Sequence, residues 1–355
     1  MVTPYVYTNQ EAAQLLSLLG EERARTRGTD LQWPETMPTL QKYAPPIYRG
    51  QTHVVCAATG EGKSTYGKWW LRQNVKHLAI NGRANKCLYV ALEETVEGAS
   101  AAIGTERLSY KEISAGIHDK EELEYKLAVN ANDKVCFIGR SVNGAAINPK
   151  AASFKRPSSE DIGDAAYKIA KSMTHGWEAC VLDYLQLLDE GDDNTTKNTS
   201  LASKSWLDVV SKTLNCPTVV LTQSRVDPKT RENKIPNVYD AQHSSAIGQD
   251  CYIHWGWWRP SKDYPLGHMI KVSQLGKEYL IPVFSDMVIV KVNKWRDGDD
   301  IDGMIFVLGS SYKGVRGELY ELNLEWLNSI SKESANAYIR MGKRNLYEFQ
   351  PWSLT

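Results

Sequence analysis

The chain has no run of eighteen or more apolar residues, and Met1 to Gln10 lacks the basic and apolar regions of a secretory signal, so neither membrane spanning nor export is expected and a cytoplasmic home is. Its six cysteines (Cys56, Cys87, Cys136, Cys180, Cys216 and Cys251) include no CxxC and no Cys/His pairing, which argues against a zinc site or a disulfide framework. Four of them sit in apolar, strand-like runs and read as buried free thiols. An excess of one charge is also missing, because 42 Lys and Arg balance 42 Asp and Glu. A protein that coats nucleic acid with its whole surface is therefore excluded, and any such contact must be local. Internal repeats and low-complexity tracts are absent as well. What remains is 355 residues at 42% hydrophobic content, enough for a substantial core.

Residues Asn9 to Thr26 read as a short amphipathic helix, and the stretch Trp33 to Tyr48, with four prolines, reads as a linker. From Thr52 strand and helix signals alternate, which predicts a mostly parallel sheet covered on both faces. The expected strands are Thr52–Ala57, Lys86–Leu92, Lys134–Gly139, Ala179–Asp183, Thr218–Gln223 and Tyr252–Trp257. Helices are expected at Lys63–Lys76, Ser159–Thr174 and Leu201–Leu214, the second opened by a capping serine and early acidic residues. Beyond Met287 three segments, Met287–Asn293, Gly303–Leu308 and Gly317–Leu322, look antiparallel, separated by turns at Asp297-Gly298 and Lys313-Gly314. A further helix is expected around Ser331–Met341. This divides the chain into residues 1–48, a catalytic unit at 49–322, and a tail at 323–355.

The run Ala57-Ala58-Thr59-Gly60-Glu61-Gly62-Lys63-Ser64 has the form of a Walker A loop and stands after an apolar strand and before a helix. A triphosphate needs several converging N–H donors, which a glycine-rich loop and a helix N-terminus supply. Residues Ala58 to Thr65 are thus the candidate nucleotide cradle, with Lys63 on the β- and γ-phosphates and Ser64 on Mg²⁺. Asp183 ends a second apolar strand, where a carboxylate could hold the same metal. Glu93 ends the strand from Lys86, expected next to the first strand, and is the candidate base for the attacking water, with Glu94 as its rival. Gln223, ending another strand, is a candidate γ-phosphate sensor. The polar stretches Asp189–Thr199 and Arg225–His243 read as long binding loops.

The block Val181-Leu182-Asp183-Tyr184-Leu185-Gln186-Leu187-Leu188 resembles the Asp-Tyr-Leu-Gln-Leu motif of DnaB-type replicative DNA helicases. Ala91-Leu92-Glu93-Glu94 is similar to the family's catalytic-glutamate motif, with Ala91 and Glu94 where Ser and Met are usual. Leu221-Thr222-Gln223-Ser224-Arg225 resembles its glutamine switch, Ser245 to Asp250 its helix after the DNA-binding loop, and Lys294-Trp295-Arg296-Asp297-Gly298 its Lys-x-Arg-x-Gly element. The resemblance covers roughly Leu31 to Leu322 and implies a RecA-like P-loop NTPase fold, α/β, with a mostly parallel central sheet and an antiparallel C-terminal extension. It implies ATP and Mg²⁺ as cofactors, single-stranded DNA as track, a hexameric ring, and a primase or helicase loader as partner. No counterpart of the family's primase-interacting domain precedes the linker, as in a phage or mobile-element motor. Lys294 and Arg296 would then reach into a neighbour's ATP site, Arg296 as the arginine finger. Lys229, Arg231, Lys234, Gln242, His243 and Ser245 would meet the strand, Gln242 to Ser245 standing where relatives present Arg-Glu-Ser-Gly. A RecA- or KaiC-like ATPase that does not unwind duplex is the competing expectation.

Overall fold

A computed structural model of the chain describes residues 33–81, 85–104, 134–142, 154–173, 176–225, 234–242, 246–296, 301–315 and 317–341, with shorter pieces between 8 and 21 and at 115–116, 144 and 346. Lys229, Arg231, His243, Ser245 and the Asp297-Gly298 turn lie outside the described residues, as does much of the N-terminal helix.

The elements run α1 (Pro38–Tyr43), β1 (Thr52–Ala57), α2 (Lys63–Ile80), β2 (Lys86–Thr95), α3 (Val96–Gly104), β3 (Val135–Arg140), α4 (Ser159–Ala170), β4 (Trp177–Asp183) and α5 (Thr195–Lys204). A π-helical stretch (Ser205–Val210) carries α5 into α6 (Ser211–Leu214), followed by β5 (Thr218–Gln223), α7 (Ala246–Asp250), β6 (Ile253–Trp258), β7 (Met269–Gln274) and β8 (Lys277–Pro282). The chain then forms β9 (Met287–Trp295), β10 (Ile305–Gly309), β11 (Tyr320–Glu321), α8 (Leu324–Ser329) and α9 (Lys332–Arg340). Nine strands make one sheet in the order β11-β10-β9-β6-β1-β5-β4-β2-β3. The strands from β6 to β3 are parallel, and β9, β10 and β11 extend the sheet antiparallel.

Every residue of β1 and β4 is buried, as a central strand covered on two faces requires. Alternation divides β1 between two cores: Val55 and Ala57 pack with α2 residues such as Tyr66 and Trp69, whereas Val54 and Cys56 pack with Ile162 of α4 and Ala202 of α5. Ser158 caps α4 by accepting from the Asp161 N–H at 3.1 Å. All six cysteines are free, five of them buried, and burial pushes the Cys216 and Cys251 thiols up to about 12.

Four sequence expectations need correction. The strand ending at Glu93 does not adjoin β1: β5 and β4 lie between, because β1 pairs with β5 and β6 while β2 pairs with β4 and β3. The stretch from Trp33 to Tyr48 is no loose linker. Trp33, Met37, Leu40, Ala44 and Ile47 are buried in the main core, with Trp33 stacked on Trp255 at 5.7 Å. Proline spacing signals a chain that turns, but says nothing of whether its aromatic residues dock. The third correction concerns Asp189–Thr199, which is not all loop: Asn194 caps α5 by accepting from Thr196 and Lys197 N–H groups, and Lys197 pairs with Asp192 at 2.6 Å. Lastly, the stretch from Trp257 to Leu280, which has no reading from sequence, ends β6, turns at Pro260, and forms the β7/β8 hairpin against α8 and α9.

Candidate nucleotide site

Parallel strands aim their C-terminal ends, and the loops after them, at one edge of the sheet, where open α/β sheets bind ligands. Along that edge runs a cleft of about 590 Å³. Its floor is the loop between β1 and α2: Thr59, Gly60, Gly62, Lys63, Ser64 and Thr65. Gly60 and Gly62 have φ of +77° and +96°, and Gly62 is the residue from which α2 departs, so side chains at these points would be strained. The loop thereby presents the N-terminus of an 18-residue helix to the cleft. Lys63 is buried, with its ammonium 3.4 Å from the Ala58 carbonyl. Burial lowers its pKa, and the nearby Asp183 and Glu93 oppose that shift. Glu61 is buried beneath the loop; its carboxylate accepts from the Arg259 N–H, and burial raises its pKa to about 7.

The opposite wall comes from β4 and β2. Asp183, at the end of β4, is 1% exposed and receives the Tyr89 hydroxyl on Oδ2 at 2.8 Å, while its Oδ1 is buried with no hydrogen-bond partner among the described residues. Ala91 stands opposite Asp183 across the two strands, so Glu93, two residues on, enters the cleft from β2. Glu93 is exposed, and its pKa is raised first by burial of part of the group and then by the Asp183 charge. The rival carboxylate is occupied: Glu94 binds Lys68 at 2.6 Å and lies 3.3 Å from the Tyr89 hydroxyl. A hard divalent cation takes oxygen ligands. The Ser64 hydroxyl and an unpartnered carboxylate oxygen of Asp183, both in the walls of one cleft, fit Mg²⁺ in kind.

Gln223 closes a third side. Its Nε2 donates to Thr59 Oγ1 at 2.8 Å, so the end of β5 grips the tip of the loop. Behind it stands Gln186, just after β4. Its amide nitrogen donates to Thr222 Oγ1 at 2.6 Å and lies 3.3 Å from the carbonyls of Gln223 and Gln242, and its Oε1 accepts from the Gln223 N–H. The Gln242 N–H in turn donates to the Gln223 carbonyl at 2.7 Å. A continuous polar path thus joins the loop tip to residue 242, where the described chain stops short of 243–245.

Two groups of sequence candidates are not brought to the cleft. Lys234 is half-buried in a separate groove with Trp258, Tyr264 and His268. Lys294 and Arg296 stand at the other edge of the sheet: β9 is antiparallel to β6, with Trp295 beside Ile253, and the Arg296 N–H donates to the Tyr252 carbonyl at 3.2 Å. The length of β1 and β6 separates them from the cleft, roughly 17 Å at about 3.3 Å per residue. Lys294 Nζ donates to the Gly248 carbonyl at 3.1 Å, and Arg296 approaches the Asp250 carbonyl at 3.4 Å, both in α7. Sequence reading missed Arg259 and Lys262, which follow β6 and stand over the loop; Lys262 Nζ lies 3.2 Å from where a Cβ at Gly60 would be. Their signal was position alone, just past the C-terminal end of a strand beside β1.

Sheet order, loop and cleft together define a P-loop NTPase with the RecA-like fold. The chain belongs to the family described as DnaB-like helicase C terminal domain, whose model matches residues 38–264. Among solved structures it resembles a free-standing ATPase domain, at 16% identity and a TM-score of 0.63, covering 89% of this chain and 100% of that one. It also resembles a DnaB-like replicative helicase described with its interactions with primase, at 18% identity and a TM-score of 0.60, covering 87% of this chain and 68% of that one. At such identities the likeness is one of fold. No curated protein matches it by sequence. Membership makes it a nucleotide-binding, ATP-hydrolysing domain of the replicative helicase type.

Proposed function

We propose that this chain is an ATP- and Mg²⁺-dependent DNA helicase that assembles as a ring, most simply a hexamer, and moves along single-stranded DNA. The observation that carries the reading is the division of the basic residues. Lys63, Ser64, Asp183, Glu93 and Gln223 surround one cleft, whereas Lys294 and Arg296 lie a strand's length away, so a second copy must bring them to any phosphate. Ala58 to Thr65 would cradle the triphosphate, and Ser64 and Asp183 would hold Mg²⁺, whose charge would offset that gathering on the γ-phosphate. Glu93 orients the attacking water and takes its proton, a role for which a raised pKa is suited. Arg296 of a neighbouring copy, with Lys294 beside it, neutralises the transition state. Both side chains also hold carbonyls of α7, just behind residues 243–245, so each neighbour's nucleotide state reaches the segment expected to touch DNA. Lys229, Arg231, Lys234, Gln242, His243 and Ser245 are the residues assigned to that contact. Local cations of this kind suit a chain of zero formal net charge. A primase or a loader is the expected partner, and residues 49–322, together with the docked segment from Trp33, form the working unit.

The test is mass measurement with ATP analogue and single-stranded DNA, together with a strand-displacement assay. Assembly into a ring with displacement is the expected result. A monomer under all conditions overturns the ring, and DNA-stimulated hydrolysis without displacement overturns unwinding in favour of a RecA-like role.

A further inference from the structure

At the end of β2 two carboxylates face one phenolic proton. Tyr89 is fully buried, and its hydroxyl lies 2.8 Å from Asp183 Oδ2 and 3.3 Å from Glu94 Oε1. A phenol carries a single proton, so it donates well to only one acceptor at a time. Lys68, in the second turn of α2, decides which. Its ammonium sits 2.6 Å from Glu94 Oε1 and 2.7 Å from Oε2, satisfying both oxygens with a charge-assisted bond each. Glu94, so neutralised, is the weaker competitor, and the proton goes to Asp183. The register prepares this: Ala91 opposes Asp183 and Tyr89 opposes Val181, so Tyr89 and Asp183 are diagonal neighbours on one face of the sheet.

Resting on the P-loop reading above, we infer that Tyr89, aimed by the Lys68–Glu94 pair, is the positioning residue for the Asp183 carboxylate. It occupies Oδ2 and leaves Oδ1, which has no partner among the described residues, to face the hydration shell of Mg²⁺. Carboxylates at metal sites are oriented by such outer partners, whose removal costs about ten- to hundredfold in metal affinity. Glu94 stands where the DnaB motif usually has Met, so the arrangement belongs to this chain's own departure from the family pattern.

The experiment is a nucleotide-binding titration with a fluorescent ATP analogue, read against Mg²⁺ concentration and again in EDTA, on the full chain. Tyr89→Phe should raise the Mg²⁺ concentration at half-maximal tightening about tenfold or more, and leave metal-free affinity unchanged. Lys68→Met should move Mg²⁺ dependence the same way, because a charged Glu94 without its partner draws the phenolic proton off Asp183. Adding Glu94→Met to Lys68→Met removes the competitor and should restore wild-type Mg²⁺ dependence. Melting temperatures check that each variant is folded. A wild-type Mg²⁺ response in Tyr89→Phe overturns the assignment, and so does a double variant as impaired as Lys68→Met, since Lys68 would then act on phosphate itself. If Lys63→Ala binds nucleotide as tightly as wild type, the P-loop reading fails and the Tyr89 assignment with it, a pattern that neither other outcome produces.

Discussion

Separation of the basic pair from the cleft makes a quantitative demand on mixtures of inactive chains. Lys63→Ala removes the cradle's cation but keeps Arg296, and Arg296→Ala does the reverse. An arginine finger supplied in trans is worth about 10³ to 10⁵ in turnover, so each variant alone should be nearly silent. Arg296 cannot serve its own cleft, because roughly 17 Å of strand lies between them and its guanidinium points to the Asp250 carbonyl, farther still. In an equal mixture that assembles at random, a competent interface needs an Arg296→Ala chain offering its loop to a Lys63→Ala chain offering its guanidinium. That occurs at about a quarter of head-to-tail contacts. Single-turnover hydrolysis at saturating ATP counts competent interfaces without requiring that they fire in turn, so its amplitude should recover to about a quarter of wild type. Full turnover by Arg296→Ala alone would refute the reasoning. So would a co-assembled mixture as silent as its components.

Three further outcomes follow from the same geometry. Gln186→Ala should keep most basal ATPase activity while losing stimulation by single-stranded DNA, checked by ATPase rates with and without the strand, because its amide alone bridges Thr222, Gln223 and Gln242. Glu61→Gln should change the pH profile of stability: burial raises the carboxyl from 4.5 to about 7, so the folded state holds the extra proton and the wild type loses stability as pH rises through that window. The loss is at most ~3 kcal/mol, and denaturant titrations from pH 5 to 8 should show the variant flat where the wild type declines. Trp33→Ala should cost ~3–5 kcal/mol in the same denaturation assay, since the indole is 6% exposed and stacks on Trp255; a cost near zero would mean that the stretch before β1 is the linker its prolines suggest.

Local signals carried the expected elements well. Thr52–Ala57 and Thr218–Gln223 form with the bounds their residues predict, because an apolar β-branched run ending in a turn or a polar residue has few other outcomes. The loop between β1 and α2 was legible for the same reason: glycine, lysine and serine at fixed spacing specify a backbone shape as well as a chemistry. Strand neighbours were not legible. That β2 lies beside β4, with β4 and β5 between it and β1, is set by which helices cross which face, a fact spread over 130 residues and held in no single window. The docking of Trp33 was hidden likewise, since its partners Trp255 and Trp295 lie more than 220 residues away.

The site divides along the same line, and the division has a physical cause. Residues that meet the nucleotide through backbone shape were readable one loop at a time. Tyr89, Lys68, Gln186 and Arg259 act only through side chains on separate elements, so their spacing in the chain carries no period and no motif. Glu94 shows the difference most clearly: as a string it rivals Glu93, being the same residue type at the same strand end. In three dimensions one strand step turns it away from the cleft's open side, where Lys68 holds it, and leaves Glu93 exposed with a raised pKa. Alternation along β2 therefore does the choosing. A strand places successive side chains on opposite faces, and only one of two adjacent carboxylates can meet a water over the phosphate loop. The same alternation puts Tyr89 on the face of Asp183, so the strand that delivers the base also holds the aspartate in place.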